Sequence, residues 1–162
     1  MNIKAISLLA ALALVGACTD KNAATTGTTA GTGGASSGMV GGTGPGSQQD
    51  LAANVGDRVF FGYDQSTLSD EARQTLDRQA AWLQRYPQVT VQMAGNCDER
   101  GTQEYNLALG QRRANAARDY LVVHGVSGAR VTTISYGKER PVALGSDDQA
   151  NGQNRNAITS VQ

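Results

Sequence analysis

The sequence predicts an α+β fold, a mixed four-stranded sheet with helices packed on one face in the order βαβαββ. Three observations carry this. Apolar residues recur at helical spacing in two long segments, Ala72-Leu76-Ala80-Leu83 and Ala114-Ala117-Leu121. Short segments rich in β-branched or aromatic residues precede, separate and follow them. These elements lie in residues 51–162, which hold nearly all the long apolar and aromatic side chains outside the extreme N-terminus.

Val59-Phe60-Phe61-Gly62-Tyr63 reads as the first strand. Ser69 is a good N-cap, and Asp70 and Glu71 in the first turn suit the positive end of the helix dipole. Pro87 ends this first helix by disfavouring helical geometry at Tyr86. Val89, Val91 and Met93 alternate with Thr90, Gln92 and Ala94, the pattern of a half-buried strand. A turn-rich stretch, Gly95 to Thr102, leads into a second helix from about Gln103 to His124. Gly110 is a potential interruption, and Gly125 stands where a C′ glycine stops a helix. Val131 to Tyr136 is a third strand, and residues 137–154 form a loop with room for a short helix. Ala157 to Val161 is the last strand.

A chain of 162 residues allows one ordinary domain plus something extra. The extra is at the N-terminus. Lys4, the apolar run Ala5 to Val15, and the small residues Gly16 and Ala17 before Cys18 have the order of an export signal, too short to span a bilayer. Val15-Gly16-Ala17-Cys18 resembles the bacterial lipobox, in which the cysteine is lipidated and becomes the new N-terminus. Residues 1–17 are thus expected to be a signal peptide. Residues 18–50 are expected to be the lipidated Cys18 and a flexible linker. Of the 32 residues from Thr19 to Asp50, 19 are Gly, Ser or Thr and none is aromatic, so ordering them would bury too little apolar surface to offset the entropy lost. Such a coil has an r.m.s. span of roughly 30 Å. Thr19 after the cysteine, in place of aspartate, points by this resemblance to the outer membrane.

Charge excludes one function class. Residues 51–162 carry 12 basic and 12 acidic side chains, which gives no electrostatic footprint for nucleic acid. Catalysis finds little support. One histidine and two cysteines offer no metal cluster, and Gly34-Ala35-Ser36-Ser37-Gly38 matches G-x-S-x-G in a Gly/Ser tract without the flanking strand and helix that a nucleophile elbow needs. No cofactor is expected. Cys97 is expected to be a buried thiol, and His124 to sit at a helix C-terminus. Trp82 and Tyr86 are expected to pack on the helix or its rim.

The informative stretch is Gly95-Asn96-Cys97-Asp98-Glu99-Arg100-Gly101-Thr102, followed by the helix that carries Arg112 and Arg113. A strand end delivers Asp98 and a helix delivers the arginines. Two readings stay open on spacing alone. One is an internal Asp–Arg salt bridge with a solvated helix face. The other is a zwitterion site, in which guanidinium takes a carboxylate and aspartate takes an ammonium.

The runs Cys97-Asp98-Glu99-Arg100-Gly101-Thr102, Tyr105-Asn106-Leu107, Arg112-Arg113-Ala114-Asn115-Ala116 and Ser135-Tyr136-Gly137-Lys138-Glu139-Arg140-Pro141 resemble the peptidoglycan-associated lipoproteins, whose C-terminal domain is OmpA-like. The likeness covers roughly Asp57 to Ile158. It implies an OmpA-like domain at 51–162 that binds the peptidoglycan stem peptide through meso-diaminopimelate and is no enzyme. It further implies that Asp98 accepts hydrogen bonds from the ammonium and that Arg113 clamps a carboxylate. Tyr63, Asp64, Leu109 and Asn106 would line the same pocket, with Arg112 facing solvent or paired with an acidic neighbour. The implied partners are TolB and the other components of the Tol–Pal envelope system, with a TolB contact near Glu99, Arg100, Tyr136 and Lys138, and the outer membrane through lipid on Cys18. One departure stands out. The family usually shows Asn-Arg-Arg before the last strand, and here Asn154-Arg155-Asn156 lacks the second arginine, which weakens binding if that arginine orders Asp98.

Overall fold

A computed structural model describes residues 43–162. Cys18, the signal-like run and Gly34–Gly38 lie outside the described residues. The described chain forms the expected mixed sheet. Its strands are β1 (Arg58–Phe60), β2 (Val91–Asn96), β3 (Val131–Gly137) and β4 (Asn156–Val161), in spatial order β1-β4-β2-β3. β4 runs antiparallel to both β1 and β2, while β2 and β3 are parallel. Helix α1 (Gln48–Asp50) continues into a single π-helical turn, Leu51–Val55. The long helices are α2 (Asp70–Arg85) and α3 (Gln103–Val123), and α4 (Asp148–Asn154) lies in the β3–β4 connection. α3 lies over β2 and β3, and α2 lies against β1 and beside α3. Between them, one apolar cluster includes Leu51, Val59, Leu76, Leu83, Met93, Leu121 and Val131. Among the described residues no helix is long and apolar enough to cross a membrane.

The helix ends follow the capping residues. Ser69 Oγ accepts from the Ala72 amide at 3.2 Å, Thr102 Oγ1 from the Tyr105 amide at 3.2 Å and Asp147 Oδ1 from the Ala150 amide at 2.7 Å. Gly125 takes φ +90° just past α3, as a C′ glycine does. The end of β1 and both ends of β2 shift by two or three residues from those expected, while β3 and β4 agree within one. β1 stops at Phe60 because the chain turns at Gly62, whose carbonyl accepts from the Gln65 amide at 3.3 Å, and Asp64 sits at φ +56°. β2 begins at Val91 because the Val89 amide is drawn back to the Tyr86 carbonyl at 3.1 Å.

Gly110 does not interrupt α3. It is the point where the helix touches the sheet. A Cβ on Gly95 would lie 1.9 Å from the Gly110 carbonyl oxygen, and one on Gly110 would lie 2.3 Å from Ser135 Oγ. Two glycines therefore let α3 settle directly onto β2, and this close approach fixes the height of every α3 side chain above the sheet.

The linker boundary expected at residue 50 falls inside a docked segment. Gln48 Nε2 donates to the Thr159 carbonyl at 3.3 Å, and its Oε1 accepts from the Val161 amide at 2.7 Å. Asp50 accepts from the Gly46 amide, Asn54 Nδ2 and Trp82 Nε1 at 2.8–2.9 Å. Those bonds hold its carboxyl below the usual carboxylate range, the Gly46 amide contributing most. Composition hid this, because the anchors are single polar side chains in a Gly-rich run. Trp82 and Tyr86 pack at the apolar cluster, and the two rings meet edge to face with centroids 5.1 Å apart. His124 caps α3, stacked 4.0 Å over Tyr120 with Nε2 3.6 Å from Asp77. Two polar residues of β4, Asn156 and Thr159, are buried and paired. Thr159 Oγ1 donates to Gln79 Oε1 at 2.8 Å, and Gln79 Nε2 donates to the Gly56 carbonyl at 2.7 Å.

Replacing Gly95 with alanine should destabilise the fold by about 3 kcal/mol, since the clash is with helix backbone and no rotamer relieves it. Gly44→Ala, with nothing within 4 Å, should leave the denaturant midpoint unchanged. Asp50→Ala should red-shift the emission of Trp82, the single tryptophan of the chain, without global unfolding.

Candidate functional site

The site is built where β2 ends. A bulge between Gly95 and Asn96 shifts the β2–β3 register, and the Cys97 amide then bonds the Gly137 carbonyl at 2.7 Å. The chain leaves the sheet here and presents Asp98 at the base of a cavity of about 270 Å³. Tyr63, Asp64, Asn106, Leu109, Asp98 and Arg113, the six expected binding residues, all border this one cavity. Arg100, Tyr105 and Arg155 complete its charged and aromatic wall.

Arg113 is 1% exposed. Its Nε donates to the Gln65 carbonyl at 2.8 Å, Nη1 to the Asn96 carbonyl at 2.8 Å and to Cys97 Sγ at 3.3 Å, and Nη2 to the Gly62 carbonyl at 3.2 Å. A guanidinium has five N–H groups. Four are committed, so a single Nη2 hydrogen is left for any guest. The Phe61 ring lies 5.3 Å from the guanidinium carbon. Burial pushes the Arg113 pKa down, yet a guanidinium stays charged at any ordinary pH. Arg113 is thus a tie between the β1–α2 loop and the end of β2 as well as a lining group. Arg112 on the next position is exposed, its guanidinium 6.0 Å from the Tyr105 ring.

Asp98 is 5% exposed and does not pair with Arg113. Its Oδ2 accepts from Arg100 Nη2 at 2.5 Å and from Arg155 Nη1 at 3.2 Å. Burial alone would raise the Asp98 pKa. The hydrogen bonds from Arg100 and Arg155 outweigh it and hold the carboxyl below the usual range. Arg155 is fixed at its other side, its Nε donating to the Phe61 carbonyl at 3.1 Å. At the Asn154-Arg155-Asn156 departure, Arg155 bonds Asp98 alongside Arg100, and Asn156 accepts from Asn96 Nδ2 at 2.8 Å and donates to the Gln153 carbonyl.

Asp64 occupies the left-handed region and its carboxylate accepts the Tyr105 hydroxyl. That bond raises the Tyr105 pKa. Asn106 Nδ2 donates to the Arg100 carbonyl at 2.7 Å, and Leu109 supplies an apolar wall. Cys97 is buried as expected. Its Sγ lies 3.3 Å from the Asn106 carbonyl, and burial raises its pKa. Among the described residues no group of three or more His, Cys, Asp or Glu side chains could hold a metal ion.

The four residues expected to meet a protein partner divide. Arg100 belongs to the cavity, bonded to Asp98 and lying 4.2 Å above the Tyr63 ring centroid. Glu99 is on the exposed rim, and Lys138 Nζ bridges the carbonyls of Glu99 at 3.3 Å and Gly101 at 2.8 Å. Tyr136 is half-buried under Arg140, whose guanidinium is 3.6 Å from its ring centroid. Arg155 and Tyr105 escaped the sequence reading as site residues. Arg155 lies far along the chain, next to the departure from the family pattern, and Tyr105 stood inside a quoted motif with no charge to mark it.

The Asp98 network predicts an acid dependence. Its folded pKa is depressed, so its contribution is complete above the unfolded value near pH 4 and drains away as pH falls through the folded value. Thermal unfolding followed from pH 7 to pH 2 should show this loss. Asp98→Asn should melt lower at pH 7 and show a shallower fall below pH 4.

Residues 60–155 match the OmpA family. The peptidoglycan-associated lipoproteins of Agrobacterium fabrum and Rhizobium meliloti are 50% identical over 158 residues and 51% identical over 154 residues. These alignments cover 98% and 95% of this chain and 86% and 84% of those proteins. The crystal structure of the peptidoglycan-associated lipoprotein from Burkholderia pseudomallei superposes with a TM-score of 0.64 at 44% identity, covering 65% of this chain and 90% of that one. The C-terminal domain of Helicobacter pylori MotB shares the fold at 19% identity, with a TM-score of 0.61 over 65% of this chain and 84% of that one. With the matched domain and the near-full-length likeness together, the chain belongs to the OmpA family and, within it, to the peptidoglycan-associated lipoproteins.

Proposed function

We propose that this chain is an outer-membrane lipoprotein that binds peptidoglycan noncovalently, holding the meso-diaminopimelate of the stem peptide, and so ties the outer membrane to the wall within the Tol–Pal system. The observation that carries the reading is one cavity lined by two carboxylates, three arginines and two exposed aromatic rings. A ligand end with both a carboxylate and an ammonium matches that lining in charge. Asp98 takes the ammonium. Arg113, with its remaining N–H, takes the carboxylate, and Tyr63, Asp64, Asn106 and Leu109 enclose the aliphatic stem. The relatives named as peptidoglycan-associated lipoproteins support the same reading.

Binding without bond cleavage accords with the chemistry present. The two carboxylates at the cavity are committed, Asp98 to arginines and Asp64 to a tyrosine, so neither is placed as a general acid or base. Cys18 is the lipid attachment point in this proposal. Two or more acyl chains at roughly 0.8 kcal/mol per buried CH₂ hold a protein stably on a membrane. Residues 1–17 are the signal, and the domain faces the periplasm.

A second reading, an adaptor whose main partner is TolB with wall binding secondary, draws on the rim. Lys138 is bonded to both sides of the residue that carries the Arg100 side chain, so a protein seated on Glu99, Tyr136 and Lys138 would press on the loop bordering the cavity. Wall and TolB would then compete for one loop.

Sedimentation of the chain with purified walls tests the first reading. Walls carrying diaminopimelate should be bound, and walls with lysine in its place, lacking the second carboxylate, should bind more weakly by at least about 2 kcal/mol. Asp98→Ala should lose binding to both. Equal retention on the two wall types would defeat the zwitterion site, and displacement of the chain from walls by TolB would support the shared rim.

A further inference from the structure

We infer that Arg100 is an internal competitor for the ammonium position on Asp98, and that it sets the affinity a ligand needs to enter. This rests on the reading of the cavity as a zwitterion site. Asp98 is 5% exposed, and its Oδ2 already receives two guanidinium donors. Its Oδ1 receives only the Arg100 amide, at 3.4 Å. While both arginines stay where they are, Oδ2 is fully engaged, and an ammonium seeking that oxygen has to displace one of them.

Of the two, Arg100 is the one free to leave. The Arg155 side chain is 18% exposed and is pinned by the Phe61 carbonyl. The Arg100 side chain is 40% exposed, and among the described residues its ion-pair and cation–π partners are Asp98 and the Tyr63 ring, itself 62% exposed. Its backbone, by contrast, is held. The Glu99, Arg100 and Gly101 carbonyls each accept a side-chain donor, from Lys138, Asn106 and Lys138 in turn. A rigid loop thus carries a movable guanidinium, and opening the site requires a rotation of one side chain and no loop movement.

The exchange preserves charge at Asp98, with one cation replacing another, while Arg155 stays bonded throughout. It also imposes a threshold. A guest bearing only an ammonium must displace a short charge-assisted bond and a cation–π contact and gains one ion pair in return. A guest that also carries a carboxylate gains a second interaction, with the arginines left in the cavity. Arg100 consequently costs every ammonium-bearing guest the same displacement, which a doubly charged end offsets and a simple amine does not. It is an autoinhibitory residue whose own side chain gives way when a ligand binds.

Calorimetry on the full-length chain in detergent micelles tests this with two soluble stem peptides, one carrying diaminopimelate and one carrying lysine. Arg100→Ala should bind both peptides about tenfold more tightly than the wild type does, with the preference between them unchanged. Arg100→Gln, which can keep a neutral hydrogen bond to Asp98, should shift the same way by less and carries the test should the alanine variant fail to fold. If removing Arg100 leaves lysine-peptide binding unchanged, or weakens both peptides, while Asp98→Ala abolishes binding, the competitor role is overturned and the zwitterion site survives. If neither peptide binds the wild type or any variant, both fall together.

Discussion

A guanidinium taken out of water is costly unless its donors find oxygen atoms, and Arg113 meets that demand with backbone carbonyls from two loops. This one requirement shapes the site. Gly62 and Gln65 follow β1, Asn96 ends β2, and Arg113 is in the middle of α3. Three elements far apart in the chain are therefore drawn to one point. The turn after β1 and the bulge at Gly95–Asn96 both aim their carbonyls at this cation, so the positions of Tyr63, Asp64, Cys97 and Asp98 follow from where it sits.

For the cation to sit there, α3 must approach the sheet more closely than side chains allow. Gly95 and Gly110 permit that approach, and Ser135 on β3 closes it from the next strand. Packing and electrostatics are thus coupled through a few atoms. The glycine contact sets the depth of the helix, the depth sets the reach of Arg113, and the reach decides which carbonyls it finds. Asp98 is held independently, by arginines from its own loop and from the residue before β4. Two separate charge systems meet at the cavity without cancelling each other, which leaves its lining polar and of both signs.

The elements that repeat a pattern were legible in the sequence. α2 and α3 follow from apolar spacing and from Ser69 and Gly125, and their bounds agree within a residue. Six of the residues that border the cavity were named through the family resemblance carried by the motif around Asp98 and Arg113, while Arg100, Tyr105 and Arg155 were not placed there. The pairing inside the cavity was not legible. Which arginine meets Asp98 depends on side-chain reach across the sheet, and Arg155 arrives from 57 residues away in the chain. The docked segment around Gln48 and Asp50 was missed for a related reason. A few polar side chains anchored on β4 and Trp82 outweigh a composition that otherwise reads as linker. Gly110 shows the limit of local propensity, since a residue that weakens an isolated helix is here the one that seats it.

That docked segment has a mechanical corollary. β1 pairs with a neighbour on one side only, so a pull delivered straight to residue 58 would unzip it bond by bond. With Gln48 fastened to β4 and Asp50 fastened to α2, tension arriving from the N-terminal side is first shared with a helix and with a strand laddered on both flanks. The short helical turn acts as a strain relief, like the collar where a cable enters a plug.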